Sequence, residues 1–363
     1  MSIKGVRIGA GDGLFTVARL PVWNIWGIIC CVNTIRNRGK GHAMLKRFAL
    51  WVLVAALLCG GALAQAEDEG FFRMDRDSRQ AWKGQVANLR LLTKGQYTFG
   101  KAKPRYRIDA DYTPSVKGLN RLNISGSAQF SEPQFHQLAT TLRKLAGGRR
   151  VYVIDLRQES HVFLNGNPIS WYAEHNWANA GKTLEQIRQD EAERFGTLIG
   201  KTIRAYGVAH DQKSGQTKIS VRSCVTEEAA VKSEGFGYLR LPAPDLAWPP
   251  PEVIDAFIEF VKGIDMKRVW LHFHCHAGTG RTGIFMMLYD KMKNPKVSMR
   301  DIAIRHTLTG SEYPLYDSGS DSFHGRLNRK KARMMPLLFQ YVEENHASNY
   351  AVSWSAWLDE QAE

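Results

Sequence analysis

The chain has 363 residues, 44% of them hydrophobic, and carries 49 basic against 35 acidic side chains for a formal charge of +14. That length and composition supply a full core for one large or two modest domains. The positive charge suits a polyanionic small molecule or a nucleic acid. No zinc finger, RNA-binding signature, aromatic–basic repeat or zinc-type cysteine–histidine spacing is present, which argues against nucleic acid and against a structural metal.

Met44-Leu45-Lys46-Arg47, the apolar run Phe48–Leu58 and the small-x-small sites Ala62-Leu63-Ala64 and Ala64-Gln65-Ala66 form a secretory signal pattern over residues 44–66. The run is too short for a confident membrane span, and Leu58 is too large for a good lipobox before Cys59. On this reading Met44 initiates the chain and residues 1–43 are upstream read-through; a long n-region or a mitochondrial presequence is the alternative. Removal of residues 1–66 leaves 41 basic and 34 acidic side chains, a net charge of +7 over the 297 residues 67–363. Only Cys224 and Cys275 remain, and whether they pair is open.

A polar segment over about 67–100 precedes the first strong element. Ser131-Glu132-Pro133 opens a helix with apolar Phe135, Leu138, Leu142 and Leu145, stopped by Gly147-Gly148. An apolar strand spans 151–156 and delivers Asp155, Arg157, Glu159 and His161 to its C-terminal edge, where ligands bind in open α/β sheets. Thr183 and Gln186 stand in capping-box spacing and open a helix near 183–196. Residues of about 198–240 read as short strands separated by turns, a strand-rich subdomain. Pro242 to Pro251 form a proline-bounded loop around Asp245, followed by a helix with Val253, Ile254, Phe257, Ile258 and Val261. A strand at 269–274, a helix over Thr282–Met292 and helices near 298–308 and 326–345 complete the chain. Alternating strands and helices indicate a mostly parallel α/β sheet.

The most informative stretch is His272-Phe273-His274-Cys275-His276-Ala277-Gly278-Thr279-Gly280-Arg281-Thr282-Gly283. A glycine-rich turn that enters a helix aims backbone N–H groups and the positive dipole end at one point, which holds a phosphate and favours a thiolate. Cys275 is the expected nucleophile, attacking phosphorus in line to give a phosphocysteine. Arg281 presents a planar fork of donors to two phosphoryl oxygens. His276, Ala277, Gly278, Thr279 and Gly280 form the cradle, with Gly278 and Gly280 admitting close approach. Thr282 places a hydroxyl near the sulfur, and His274 orients the loop and supports the ionised thiol. Expulsion of an alkoxide needs a general acid, and Asp245 is the candidate, later activating water. The chemistry needs no metal or other cofactor.

The string HCHAGTGRTG resembles the cysteine-dependent protein tyrosine phosphatase superfamily, whose signature is HCxxGxxR[ST]. Over roughly residues 100–358 the chain is similar to the bacterial tyrosine-phosphatase-like phytases, which are inositol polyphosphate phosphatases. The supporting strings are Asp155–His161 with Leu164-Asn165-Gly166, Glu174–Asn179, Asp245–Pro249, Lys293-Asn294-Pro295 and Ser353–Leu358. The resemblance implies a tyrosine-phosphatase-like, mostly parallel sheet flanked by helices, with a small partial β-barrel insertion. It implies nucleophile Cys275, phosphate-binding Arg281 and general acid Asp245, with Asp155 near the reacting phosphate and His175 at the substrate pocket. Arg107 matches an early phosphate contact, and the run Arg326, Lys330 and Lys331 matches a region that supplies cations to peripheral phosphates. Leu246 stands where many relatives have histidine, His276 replaces a commonly acidic loop residue, and Gly283 replaces a second threonine.

The expected activity is metal-independent removal of phosphate from inositol hexakisphosphate and lower inositol phosphates, in the periplasm or outside the cell. A protein tyrosine or dual-specificity phosphatase is the nearest alternative, and a catalytically silent phospho-ligand module is a third. No nucleic-acid partner and no stable membrane insertion after signal cleavage are expected.

Overall fold

In the computed structural model, residues 70–75, 86–92, 106, 108–109 and 111–361 are described. The signal pattern at 44–66, the segment 1–43 and Arg107 lie outside the described residues.

Among the described residues, strands β1 (Phe71–Met74), β2 (Arg90–Leu91) and β3 (Ile124–Ser127) precede the first α-helix. Helix α1 (Glu132–Ala146) starts at Ser131, whose side chain accepts from Gln134 N–H in a capping box. It ends at Gly147 with φ +56°, a left-handed cap that glycine adopts without penalty. Next come β4 (Arg150–Asp155), the hairpin β5 (His161–Leu164) and β6 (Asn167–Tyr172), and α2 (Leu184–Phe195), capped by Thr183 and Gln186. Strands β7 (Thr202–Ala209), β8 (Gln212–Ser220) and β9 (Cys224–Thr226), helix α3 (Glu227–Ser233) and β10 (Gly237–Arg240) follow. Then α4 (Pro251–Lys262), β11 (Val269–His274) and α5 (Gly280–Lys293) frame the catalytic loop. Helices α6 (Met299–Leu308), α7 (Phe323–Asn345) and α8 (Trp354–Glu360) close the fold.

One sheet has the order β10-β4-β11-β3-β2, parallel except for β2. Side-chain alternation along its strands sorts the two faces. Leu271, Phe273 and Cys275 join Ile154 in the core formed with α4, α5, α7 and α8. Trp270, Val151 and Val153 face the core under α1 and α3. Helix α5 is buried almost all round, from Arg281 to Met292.

The second sheet has the order β8-β7-β1-β6-β5-β9, and its only parallel pair among the described residues is β1 with β7. It departs from the expected subdomain of about 198–240 in membership. It draws β1, β5 and β6 from outside that span, while β10 leaves to pair with β4 in the parallel sheet. It is an open sheet, and no closed barrel is formed among the described residues. Val162, Leu164, Ile169, Phe195, Ile203 and Ile219 fill its own apolar core.

Candidate active site

The catalytic loop leaves the C-terminal end of β11 and enters α5 at Gly280. Its carbonyls are held from outside: Gln129 N–H donates to His276 O (3.1 Å), Asn88 Nδ2 to Ala277 O (2.8 Å), Arg90 Nη1 to Gly278 O, and Glu312 N–H to Thr279 O (3.2 Å). A trans peptide directs its N–H opposite its C=O, so outward carbonyls turn the loop amides inward, where an anion sits. Gly278 has φ +74°, and a Cβ there would lie 2.4 Å from the Ser127 backbone; only glycine fits. Gly278 N–H donates to Cys275 Sγ at 3.2 Å, and Cys275 is 2% exposed at the base of the cradle.

Arg281 is buried and fixed on both sides. Its Nη1 donates to Glu159 Oε2 (2.7 Å) and Nη2 to Glu159 Oε1 (3.0 Å), a bidentate pair. Nη1 also donates to the carbonyls of Leu156 (3.3 Å) and Ala243 (3.1 Å), and Nη2 lies 3.2 Å from Asp245 Oδ1. Burial opposes the charge on both partners. Arg281 and Arg157 nonetheless hold Glu159 well below the usual carboxylate range, and Asp245 and Glu159 keep Arg281 protonated.

Asp245 sits on the proline-bounded loop with its side chain 25% exposed. Asn176 Nδ2 donates to its Oδ2 (2.9 Å), the Leu246 N–H to its Oδ1 (3.0 Å), and Trp177 Nε1 to its carbonyl (2.8 Å). Leu246 follows with φ +64°, a left-handed conformation that costs a leucine about 1–2 kcal/mol. Asp245 and Arg281 thus meet beside the loop that carries Cys275, whose sulfur is close enough to favour the charge on Arg281.

Two cavities meet at Leu246. One, of about 330 Å³, is lined by Arg73, Tyr172, His175, Asp211, Asp245 and His276 among others. In it His175 lies flat on Phe323 (centroids 3.9 Å apart) with Nδ1 2.9 Å from Asp211 Oδ2. The other, of about 310 Å³, is lined by Tyr106, Glu312, Tyr313, Tyr316, His324 and Lys331 among others. Lys331 Nζ lies 3.3 Å from Glu312 Oε2. Positions 324, 328 and 331 share the face of α7 that lines this cavity, whereas Arg326 and Lys330 are exposed and line neither. Helical period separates the basic run, bringing one cation to the site and leaving the other two outside.

Asp155 also departs from expectation. It falls on the Val151/Val153 face of β4, fully buried, and faces protein on every side. Its Oδ1 accepts from Arg157 N–H (2.9 Å) and its Oδ2 from Tyr238 O–H (2.7 Å), and it lines neither cavity. Despite burial, His161 and Arg240 keep it ionised. Thr282 is buried with Oγ1 unpartnered by protein among the described residues. His276 Nε2 lies 3.0 Å from the Asp75 carbonyl, and burial with Arg73 pushes the imidazole well below its ordinary value, so it is neutral. Cys224 and Cys275 are both free and belong to different cores, Cys224 against the second sheet and Cys275 in the main one.

Sequence reasoning placed Glu159 on the right loop without assigning it to Arg281. It did not find Asn88, Arg90 and Gln129, whose bracing depends on pairings between distant segments. Asp155, Glu227 and His274 place ligand-type atoms within 4.8 Å of one another. Contacts of Asp155 and Glu227 with His161, and of Asp155 with Arg240, account for that set as ion pairs.

A family model described as PTP-like phytase, inositol hexakisphosphate, matches residues 154–293, which include Glu159, Asp245, Cys275 and Arg281. Over that segment the chain is similar to the protein-tyrosine-phosphatase-like phytases. The tandemly repeated phytase of this family from Mitsuokella multacida is 34% identical with a TM-score of 0.71, over 81% of this chain and 50% of that one. The PTP-like myo-inositol phosphatase of Mitsuokella multacida, solved in complex with myo-inositol-(1,3,4,5)-tetrakisphosphate, is 34% identical with a TM-score of 0.71, over 80% of this chain and 49% of that one. The PTP-like phytase of Bdellovibrio bacteriovorus is 26% identical with a TM-score of 0.60, over 80% of this chain and 94% of that one. The effector protein hopD2 of Pseudomonas syringae pv. tomato is 27% identical over 253 residues, 66% of this chain and 52% of that one. The chain therefore spans about half the length of the Mitsuokella and Pseudomonas proteins.

Proposed function

We propose that this protein, similar to the PTP-like phytases, is a phosphomonoesterase that acts on inositol polyphosphates through a phosphocysteine. The observation that carries the reading is the convergence of Cys275, the buried Glu159–Arg281 pair and Asp245 on one glycine-lined cradle. In-line attack by the Cys275 thiolate forms the S–P bond as the ester P–O bond breaks, and Asp245 protonates the leaving oxygen. Water, deprotonated by Asp245, then cleaves the S–P bond and releases phosphate. The inward amides and Arg281 stabilise the equatorial oxygens throughout. His175 and Lys331, in the flanking cavities, supply contacts for phosphates that do not react. The Mitsuokella relative holds a myo-inositol tetrakisphosphate, which supports that ligand class. Inositol hexakisphosphate is the proposed first substrate.

Phosphate release from inositol hexakisphosphate and from a phosphotyrosyl peptide, in EDTA and thiol reductant, separates this reading from a protein phosphatase. Preference for the inositol substrate supports it, and preference for the peptide overturns it. Among the described residues no helix is long and apolar enough to cross a membrane. A periplasmic or secreted location is also proposed, supported by the signal pattern over 44–66. N-terminal sequencing of protein from fractionated cells tests it, with a mature end near Ala64–Glu67 expected.

A further inference from the structure

His274 precedes the nucleophile and points to the face of the sheet opposite Cys275. Its ring packs on Phe130, centroids 4.8 Å apart, and its Nε2 lies 2.6 Å from Glu227 Oε1, a close contact rather than an aligned hydrogen bond. Glu227 opens α3, directly after β9 of the second sheet, and is 2% exposed. Its Oε2 accepts from Gln129 Nε2 at 2.8 Å and lies 3.4 Å from His161 Nε2.

Gln129 continues the connection. Its backbone N–H donates to His276 O (3.1 Å), and its Oε1 accepts from Arg157 Nη1 (2.6 Å). Arg157 Nη1 donates to Asp75 Oδ2 (2.8 Å), and the Asp75 carbonyl meets His276 Nε2. Glu227 thus touches both residues that flank Cys275, His274 directly and His276 through Gln129. The other titratable groups that interact with it are Asp155 on β4, His161 on β5, Tyr238 on β10 and His272 on β11, and Asp155 in turn meets Arg240, which Glu191 of α2 pairs.

We infer that Glu227 is a positioning residue for the phosphatase reaction: from outside the catalytic loop it anchors His274 and Gln129, and so sets the backbone that carries Cys275. The inference rests on the proposed role of Cys275 as nucleophile. A carboxylate removed from both neighbours leaves His274 buried beside an unfilled contact and releases the Gln129 amide. A loop whose nucleophile shifts by as little as 1 Å loses about 100-fold in rate.

The test is Glu227→Gln, which keeps shape and one acceptor but removes the charge, made in the full chain and assayed beside Gln129→Met. For E227Q, kcat is expected to fall about 10- to 100-fold with KM within about threefold. Alkylation of Cys275 by iodoacetamide at fixed pH, without substrate, is expected to slow in parallel. Q129M keeps the backbone bond to His276 and tests the same connection with less risk to folding; an intermediate loss in both readouts is expected. A kcat within twofold of the parent in folded E227Q overturns the proposal. If E227Q does not fold, parental alkylation and kcat in Q129M overturn it. Alkylation is independent of the substrate, so a slowed Cys275 in an enzyme that ignores inositol phosphates would contradict the substrate reading and leave this one standing.

Discussion

The five-stranded sheet is parallel apart from its β2 edge, and its inner strand β11 is buried along its whole length. The six-stranded sheet is antiparallel apart from the β1–β7 pair, and in β8 only Ile219 is buried. The first carries Cys275, the proposed nucleophile, at a strand end, where a strand-to-helix turn supplies backbone donors. The second carries the side chains around it: β1 ends beside Asp75, the β5–β6 hairpin leads to Asn176 and His175, and α3 brings Glu227. On the proposed reading the reacting groups sit on the parallel layer, while the antiparallel layer lines one flanking cavity and braces the loop.

Substitutions of the proposed reacting groups of the parallel layer should therefore abolish turnover, and those in the antiparallel layer or at the cavity rim should shift binding or loop geometry. The largest effect is expected for Cys275→Ser, a loss of about 10⁴-fold or more in kcat with inositol phosphate binding retained by calorimetry. Asp245→Asn follows, with kcat down about 10²- to 10⁴-fold and the alkaline limb of the pH–rate profile changed, because a general acid is lost. Retention of near-parental kcat by either variant would break the division.

Glu159→Gln is expected to cost about 3–5 kcal/mol of stability in a denaturant titration, since it leaves the buried Arg281 without its counter-ion. Preserved stability would show that the Asp245 contact suffices. The pair also bears on pH. Glu159 is held below its unfolded value, so its stabilisation is present above the normal carboxylate range and is lost as pH falls through the folded value.

His161 has the opposite sign. Burial and Arg157 disfavour its charge, but Asp155 overcomes them and raises the group from 6.5 to about 9. Its contribution is complete below pH 6.5 and is lost as pH rises toward 9, on the order of 1–3 kcal/mol across that window. Thermal melts from pH 6 to 9 should show this slope in the parent and a shallower one in His161→Gln. Smallest are His175→Ala and Lys331→Ala, expected to raise KM for inositol hexakisphosphate about 3- to 30-fold with kcat little changed, consistent with lost uniform binding. An equal fall in kcat would move either residue into the reacting centre.

The parallel layer was also the more legible in sequence. Its apolar strands, the capping box at Ser131 and the loop from Cys275 to Arg281 are local signals, and its helices and strands lie within a few residues of expectation. The antiparallel layer joins segments far apart in the chain, so membership could not be read from 198–240 alone. One local signal served only as a family string: Asn165-Gly166, at φ +51° and +81°, is the tight hairpin turn that pairs β5 with β6. The site follows the same divide. Cys275, Arg281 and Asp245 carry motif signatures, whereas Glu159, Gln129 and Glu227 act through contacts between remote segments. Asp155 looked like a pocket acid because it ends a strand at the ligand edge, but strand alternation turns it inward.

The measurement that bears most directly on the account is mass analysis of the Cys275 peptide after enzyme and inositol hexakisphosphate are mixed and rapidly quenched in acid. The account predicts a transient phosphoryl adduct on Cys275 that appears before free phosphate reaches steady state. Sustained phosphate release with Cys275 unmodified at every quench time, and equal release by Cys275→Ser, would contradict it.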